Sequence, residues 1–359
     1  MAPVVAALRR KSWADVDVLA TGQHRQLLQQ TLMAFGIEID TDLDVMVENQ
    51  TLAGLTSRIF TRLDPYLAER RPDLVLAQGD TTTVLTASMA CFYRSIAFGH
   101  VEAGLRTYDL RYPFPEEFNR RVTGLVAVLH FAPTVGARNN LIAERIPEAG
   151  IFVTGNTVID ALHDMRARGP ELPFALPEDA TVILMTAHRR ENFGAPLANV
   201  FHAVRDLLAR FPKLHIVYPV HPNPNVRNTA REILGQEARV TLCEPLDYPA
   251  LVAVLDRCTL VLTDSGGLQE EAPAFGKPVL VLRRETERPE AVDLGVAQLI
   301  GTDRATVVGA VASLLTEPET YRRMARGGSP YGDGHSAERI VEAIARHLHV
   351  DEDRGRMGK

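Results

Sequence analysis

Two α/β domains, each a parallel sheet covered by helices on both faces, are predicted by three features of the sequence. Short continuous apolar runs alternate with helical patterns, the series restarts after about residue 180, and 359 residues exceed what one hydrophobic core comfortably holds.

The chain opens with MAPVVAALRRK, read as an amphipathic helix, because its positive charges follow the apolar run and so reverse the order of a secretory signal. Strand-like runs then come at VDVLATG (16–22), DLVLAQGD (73–80), SIAFGHVEAG (95–104), LHFAPT (129–134) and GIFVTGN (150–156). A second series comprises TVILMTAHR (181–189), LHIVYPVHP (214–222), RVTLCEPL (239–246), LVLTDSGG (260–267), KPVLVLR (277–283) and AQLIGTD (297–303). Most end in Gly or a small polar residue, and helical patterns separate most of them. Residues 1–165 and 181–335 therefore read as the two domains, with the Pro/Gly-broken RARGPELPFALPEDA (166–180) as linker. The helix at 336–349 is placed to cross back onto the first domain, and 350–359 reads as a disordered tail.

With 46% hydrophobic and 23% charged residues and a net charge of -6, this is the composition of a soluble enzyme. No Lys/Arg block or aromatic-basic interleaving points to nucleic acid or to an anionic membrane surface, and no apolar run approaches membrane-spanning length. Cys91, Cys243 and Cys258 are odd in number and scattered, as expected of reduced thiols in a cytoplasmic protein rather than of a disulfide frame or a zinc site.

In open parallel sheets ligands bind beyond the carboxyl ends of the strands, where helix N-termini aim N–H groups at anions. At LVLTDSGGLQEE, Asp264, Ser265, Gly266 and Gly267 lead from strand to helix, and Glu271 lies where a carboxylate can accept both hydroxyls of a ribose. His188 and Arg189 follow another strand, and an arginine fork there suits a pyrophosphate. His221 follows the next. The histidines lack metal-ligand spacing. In the first domain QGDTTTVL ends a strand at Asp80 and caps the following helix with Thr residues, and Asp80 itself reads locally as a helix N-cap. Glu102, at a strand end between His100 and Gly104, pays desolvation unless it has partners or a task. Downstream, PFPEEFNRR reads as the charged first turn of a helix at Glu116 and Glu117.

The ordered set QGDTTT, GHVEAGLRT, PFPEEFNRR, VTGNTVID, AHRREN, YPVHPNPNVR, TDSGGLQEEAP, TERPEAV and PYGDG closely resembles the non-hydrolysing UDP-N-acetylglucosamine 2-epimerases over nearly the whole chain. The resemblance implies two Rossmann-like domains of glycosyltransferase-B type with the active site in the interdomain cleft. It implies a homodimer that interconverts UDP-GlcNAc and UDP-ManNAc for surface polysaccharide synthesis, without a nicotinamide cofactor and without a metal. It also implies acid/base roles for Asp80, Glu102 and Glu116, an active-site role for His188, and UDP contacts at Ser265, Gly266, Glu271 and Arg288 with His221 near the ligand. Gln23, Gln26, Arg58 and Arg189 are similar to the residues that hold an allosteric UDP-GlcNAc in bacterial members.

The sequence departs from that pattern at its start, where a strand and a Gly-Thr-Arg-Pro-Glu loop would precede Met1-Ala2-Pro3. Either a start codon placed too late or a genuine loss accounts for this. The expectation is that the 359-residue chain alone is poorly soluble and nearly inactive while its second domain still binds UDP. A glycosyltransferase, a hydrolysing epimerase and a non-catalytic nucleotide-sugar binder remain open beside the epimerase reading. Sequencing the gene upstream of Met1 is expected to find, in frame, a strand followed by the missing loop. A stop codon there in place of the loop would favour genuine loss.

Overall fold

A computed structural model of the protein describes residues 1–22, 32–47, 50–286, 288–326 and 328–350. The chain divides into two units, Met1–Ala161 with Tyr331–Lys359 and Leu162–Pro330. The division falls inside the helix Thr157–Ala167, a few residues before the expected boundary at 165.

In the first unit, strands β3 (Leu74–Gln78), β4 (Ala97–Val101), β5 (Leu129–Ala132) and β6 (Ile151–Val153) pair in parallel in that order. Strand β1 (Leu19–Ala20) pairs with β2 (Thr41–Asp42) in a separate two-stranded ribbon. Only two residues of VDVLATG enter a strand. The polar groups before them go elsewhere: the Asp17 carboxylate accepts from Tyr66 Oη at 2.9 Å, and the Val18 N–H donates to Asp40 Oδ2 at 2.7 Å. Strand β2 gave no apolar signal because its residues are Thr and Asp.

Helices cover both faces. On one, Leu55, Ile59, Leu63 and Leu67 of the helix Leu52–Arg70 pack with Val84 and Ala87 of the helix Thr82–Tyr93 and with Phe98. On the other, Ile340, Val341 and Ile344 of the C-terminal helix Ser336–His347 join Val4 and Leu8 of the helix Ala2–Arg9 over Val101, Leu129 and Phe131. The returning chain is fastened by the Asn156 N–H to Tyr331 O at 2.5 Å and the Ala337 N–H to Asp160 Oδ1 at 2.7 Å.

The second unit holds a six-stranded parallel sheet in the order β12-β11-β10-β7-β8-β9, formed by β7 (Thr181–Thr186), β8 (Leu214–Pro219), β9 (Val240–Cys243), β10 (Leu260–Thr263), β11 (Val279–Val281) and β12 (Ala297–Leu299). Strand β10 is buried throughout, as a sheet covered on both faces requires. Residues 166–180, expected as the linker, fall in the second unit, and the first two of them end the helix Thr157–Ala167. Arg257 Nη2 holds the carbonyls of Pro177, Glu178 and Ala180, and Arg166 pairs with Asp256 at 2.8 Å, so the Pro/Gly-rich stretch is tied to the second unit by groups that periodicity does not register.

Gly104 has φ +91°, and a side chain there would strike the Ala137 carbonyl oxygen of the helix Val135–Ala143. Gly104→Ala is expected to cost about 3 kcal/mol, from combined backbone and packing strain. Urea unfolding checks this, and a change below about 0.5 kcal/mol, the range of an ordinary surface substitution, would mean the approach is relaxed without cost.

Candidate active site

In the first unit, Gln78 and Val101 are register partners, so Asp80 and Glu102 leave neighbouring strands at the same edge of the sheet. Glu102 sits at φ +64°, a left-handed conformation that costs a non-glycine residue about 1 kcal/mol or more. Tertiary contacts hold it there. The Ala103 N–H bonds Phe131 O at 3.0 Å, and Gln78 Nε2 donates to Glu102 Oε2 at 3.1 Å. His100, two residues earlier, is buried with Nε2 2.7 Å from Gly79 O, and burial pushes its pKa down to about 3. It is a neutral brace between strand ends.

The expected N-cap role of Asp80 is not what the structure has. Thr81 caps the helix Thr82–Tyr93, its hydroxyl accepting from the Val84 N–H at 3.4 Å, because the cap must sit one residue before the first helical turn. Asp80 Oδ2 instead accepts from Arg120 Nη2 at 2.6 Å, and Asn119 Nδ2 donates to the Asp80 carbonyl at 2.8 Å.

Arg120 and Asn119 belong to the helix Glu116–Val126, which opens with two glutamates of different fates. Glu116 is half-buried at the helix start. Glu117 is wholly buried: its carboxylate accepts the N–H groups of Thr107 and Tyr108, each at 3.1 Å, and lies 3.4 Å from Arg120 Nη1. Sequence reasoning passed over Glu117 and Arg120. The available signal was the adjacent pair itself, since neighbours on a helix cannot share a face.

In the second unit the strand order reverses between β7 and β10, which marks the crevice where open sheets bind ligands. His188, His221 and Ser265 follow the adjacent strands β7, β8 and β10. The rings of His188 and His221 stack with centroids 5.6 Å apart and planes 14° apart. Asp264, which is fully buried, accepts from the backbone N–H of His188 (2.9 Å) and of Arg189 (2.9 Å) and from Asn192 Nδ2 (3.1 Å). Burial holds the His188 pKa below the usual imidazole value, with Asp264 opposing that shift and His221 adding to it.

Ser265 stands at the N-cap of the helix Gly266–Ala274 without capping it through its side chain, so Gly266 and Gly267 open the helix with a bare N-terminus. The residues behind hold the rim. Thr286 Oγ1 donates to Gln269 Oε1 at 2.6 Å, and Arg288 Nε donates to Glu270 Oε1 at 2.5 Å. Glu271 is buried, which raises its carboxyl to about 7, and the neighbouring Tyr248 opposes that upward shift while Glu270 adds to it.

Of the expected allosteric residues, Gln23 and Gln26 lie outside the described residues. Arg58 belongs to the first unit, where it donates to Val45 O at 2.9 Å and to Gln50, and Arg189 belongs to the second. Among the described residues no group of His, Cys, Asp or Glu is arranged to hold a metal ion, and no helix is long and apolar enough to cross a membrane.

The sequence profile described as UDP-N-acetylglucosamine 2-epimerase matches residues 6–345. The chain belongs to that family. It is 49% identical to UDP-N-acetylglucosamine 2-epimerase of Bacillus subtilis strain 168, over 97% of this chain and 92% of that one. Its structure is similar, at TM-score 0.86 and 42% identity, to the Neisseria meningitidis UDP-GlcNAc 2-epimerase crystallised with UDP-GlcNAc, covering 96% of each chain. The glycotransferase of kitacinnamycin, 13% identical with TM-score 0.66 over 96% of this chain and 94% of that one, shares the fold alone. The fold is thus two Rossmann-like domains of glycosyltransferase-B type.

Because Glu271 titrates near 7 when folded and near 4.5 when unfolded, its protonated form favours the folded state at low pH, and that contribution is lost as pH rises from about 4.5 to 7. The loss amounts to about 3 kcal/mol at 1.36 kcal/mol per unit. Thermal unfolding without ligand should therefore find Glu271→Gln gaining on the wild type between pH 5 and pH 8. Parallel curves across that range would mean the carboxyl ionises without cost.

Proposed function

We propose that the protein interconverts UDP-GlcNAc and UDP-ManNAc by inversion at C2, eliminating UDP to form a glucal and adding it back without net hydrolysis. The observation that carries this reading is the Glu102 carboxylate held on left-handed backbone beside Asp80, in a family whose named members are UDP-GlcNAc 2-epimerases. The C2 proton has no adjacent carbonyl to acidify it, so loss of UDP from C1 must accompany its removal. Inversion needs the proton taken from one face and returned to the other, which two differently placed carboxylates can serve. Glu102 and Glu116 are assigned to this pair. Asp80, ion-paired with Arg120, orients them, and His188 assists proton movement.

The second unit supports retention of UDP. The bare N-terminus at Ser265, Gly266 and Gly267 offers N–H donors to phosphate, Arg189 and Arg288 offer guanidinium groups, His221 flanks the nucleotide, and Glu271 meets the ribose. Holding the departing UDP close keeps re-addition intramolecular in effect. Three unpaired cysteines fit a cytoplasmic enzyme. A homodimer fits the exposed Phe92, Tyr93 and Leu125 on the packed helices Thr82–Tyr93 and Glu116–Val126.

With the protein in D2O, deuterium is expected at C2 of recovered UDP-GlcNAc, and UDP-ManNAc as product. Free ManNAc with UDP would assign the hydrolysing class instead, and a transferred sugar the transferase class. Glu102→Gln should lower exchange by about 10²–10⁴-fold, the usual worth of a general acid or base, whereas unchanged turnover would remove Glu102 from the mechanism. Glu116→Gln should impair net epimerisation at least as strongly as exchange.

If Arg58, Arg189, Gln23 and Gln26 hold an activating second UDP-GlcNAc, pure UDP-ManNAc should turn over slowly until a little UDP-GlcNAc is added. Immediate full-rate turnover of pure UDP-ManNAc would count against activation.

A further inference from the structure

Asp264 is a carboxylate with no exposed surface, and its surroundings go beyond what a helix entry needs. It is not the N-cap of the following helix, which is Ser265. Its oxygens instead reach back to another strand end. One accepts the His188 N–H at 3.1 Å, and the other accepts the His188, Arg189 and Asn192 donors at 2.9, 2.9 and 3.1 Å. Asn192 also donates to Leu282 O at 3.2 Å, and the Tyr218 hydroxyl holds the Ala187 carbonyl at 2.9 Å, so the 187–192 segment is clamped at several points around this one side chain. The Asp264 Oδ1 atom lies 3.3 Å from His188 Nδ1, while the His221 ring lies stacked against the His188 ring.

We propose that Asp264 is the positioning residue of His188: it anchors the turn that carries the histidine and holds Nδ1 toward its own carboxylate, so that Nε2 is the nitrogen offered to the substrate. This rests on the reading of His188 as an active-site group. The chemistry follows from the tautomers of imidazole. A neutral ring with its proton on Nδ1, facing a carboxylate, keeps Nε2 as an acceptor. Every charged or titratable group facing the ring then has a defined sense: Asp264 and Glu191 favour the protonated ring, and His221, Arg189 and burial oppose it.

The wild-type protein allows a direct test. Nitrogen NMR of labelled histidine should find neutral His188 protonated on Nδ1, and the Nε2-protonated tautomer would overturn the proposal. In Asp264→Asn the charge is lost while an oxygen acceptor remains. The His188 titration should then move down by about one pH unit, the low end of the shift a close carboxylate causes. The acid limb of kcat/KM should move with it, and kcat should fall at least tenfold with KM little changed. Unmoved titration with unmoved kcat would overturn the proposal. If that variant does not fold, the wild-type tautomer decides alone. Full turnover by His188→Asn would sink the role given to His188 itself, and the tautomer and titration would still report on Asp264.

Discussion

Parallel strands buried on both faces can carry polar function only at their ends, and the rest of this structure follows from that constraint. Strand β10 has no residue that reaches solvent, and the first polar residue with access beyond it is Ser265. Asp80, Glu102, Glu116, His188, His221 and Ser265 accordingly sit one or two positions beyond a strand or at the first residue of a helix, whereas Arg58, Glu271 and Arg288 do not. Because neighbouring parallel strands end together, residues far apart in sequence share one edge, as Asp80 and Glu102 do through the Gln78–Val101 register.

At those edges the acidic residues divide into two kinds. Glu117, Asp264 and Glu270 are buried and accept from N–H or guanidinium donors, so each helps fix the segment that carries its partner. Breaking a buried, paired carboxylate of this kind costs more than it would at the surface, because the partners are left unsatisfied. Glu102 and Glu116 are half-buried, which leaves them reachable by a ligand while still held. The strained backbone of Glu102 persists because the Ala103 bond to β5 and the close approach of Gly104 to the Val135–Ala143 helix over-determine it.

Much of this was legible in the sequence. Continuous apolar runs located the strands of the four- and six-stranded sheets and β1 of the separate ribbon, but not β2, and small polar residues after them located the strand ends. The misses have physical causes. Strand β2 is Thr-Asp, too short and polar for periodicity to register. The segment 166–180 reads as a linker because Pro and Gly dominate it; the hold of Arg257 on three of its carbonyls comes from an arginine some eighty residues away and gives no local signal. Asp80 resembles a cap because Asp caps helices, while Thr81 is one residue better placed.

The class of fold, most strand ends and the family follow from local composition and from motifs that stand in order along the chain. Packing of distant segments decides which of several similar residues is left accessible and which is buried. Glu116 and Glu117 are chemically alike and adjacent, yet one is half-buried and the other is wholly buried against two backbone N–H groups. His188 acquires a carboxylate at Nδ1 from a residue 76 positions away in sequence. The reason is that burial and hydrogen-bond partners come from the packing of distant segments, and the properties that separate a reactive carboxylate from a structural one are set by those partners rather than by the residue type.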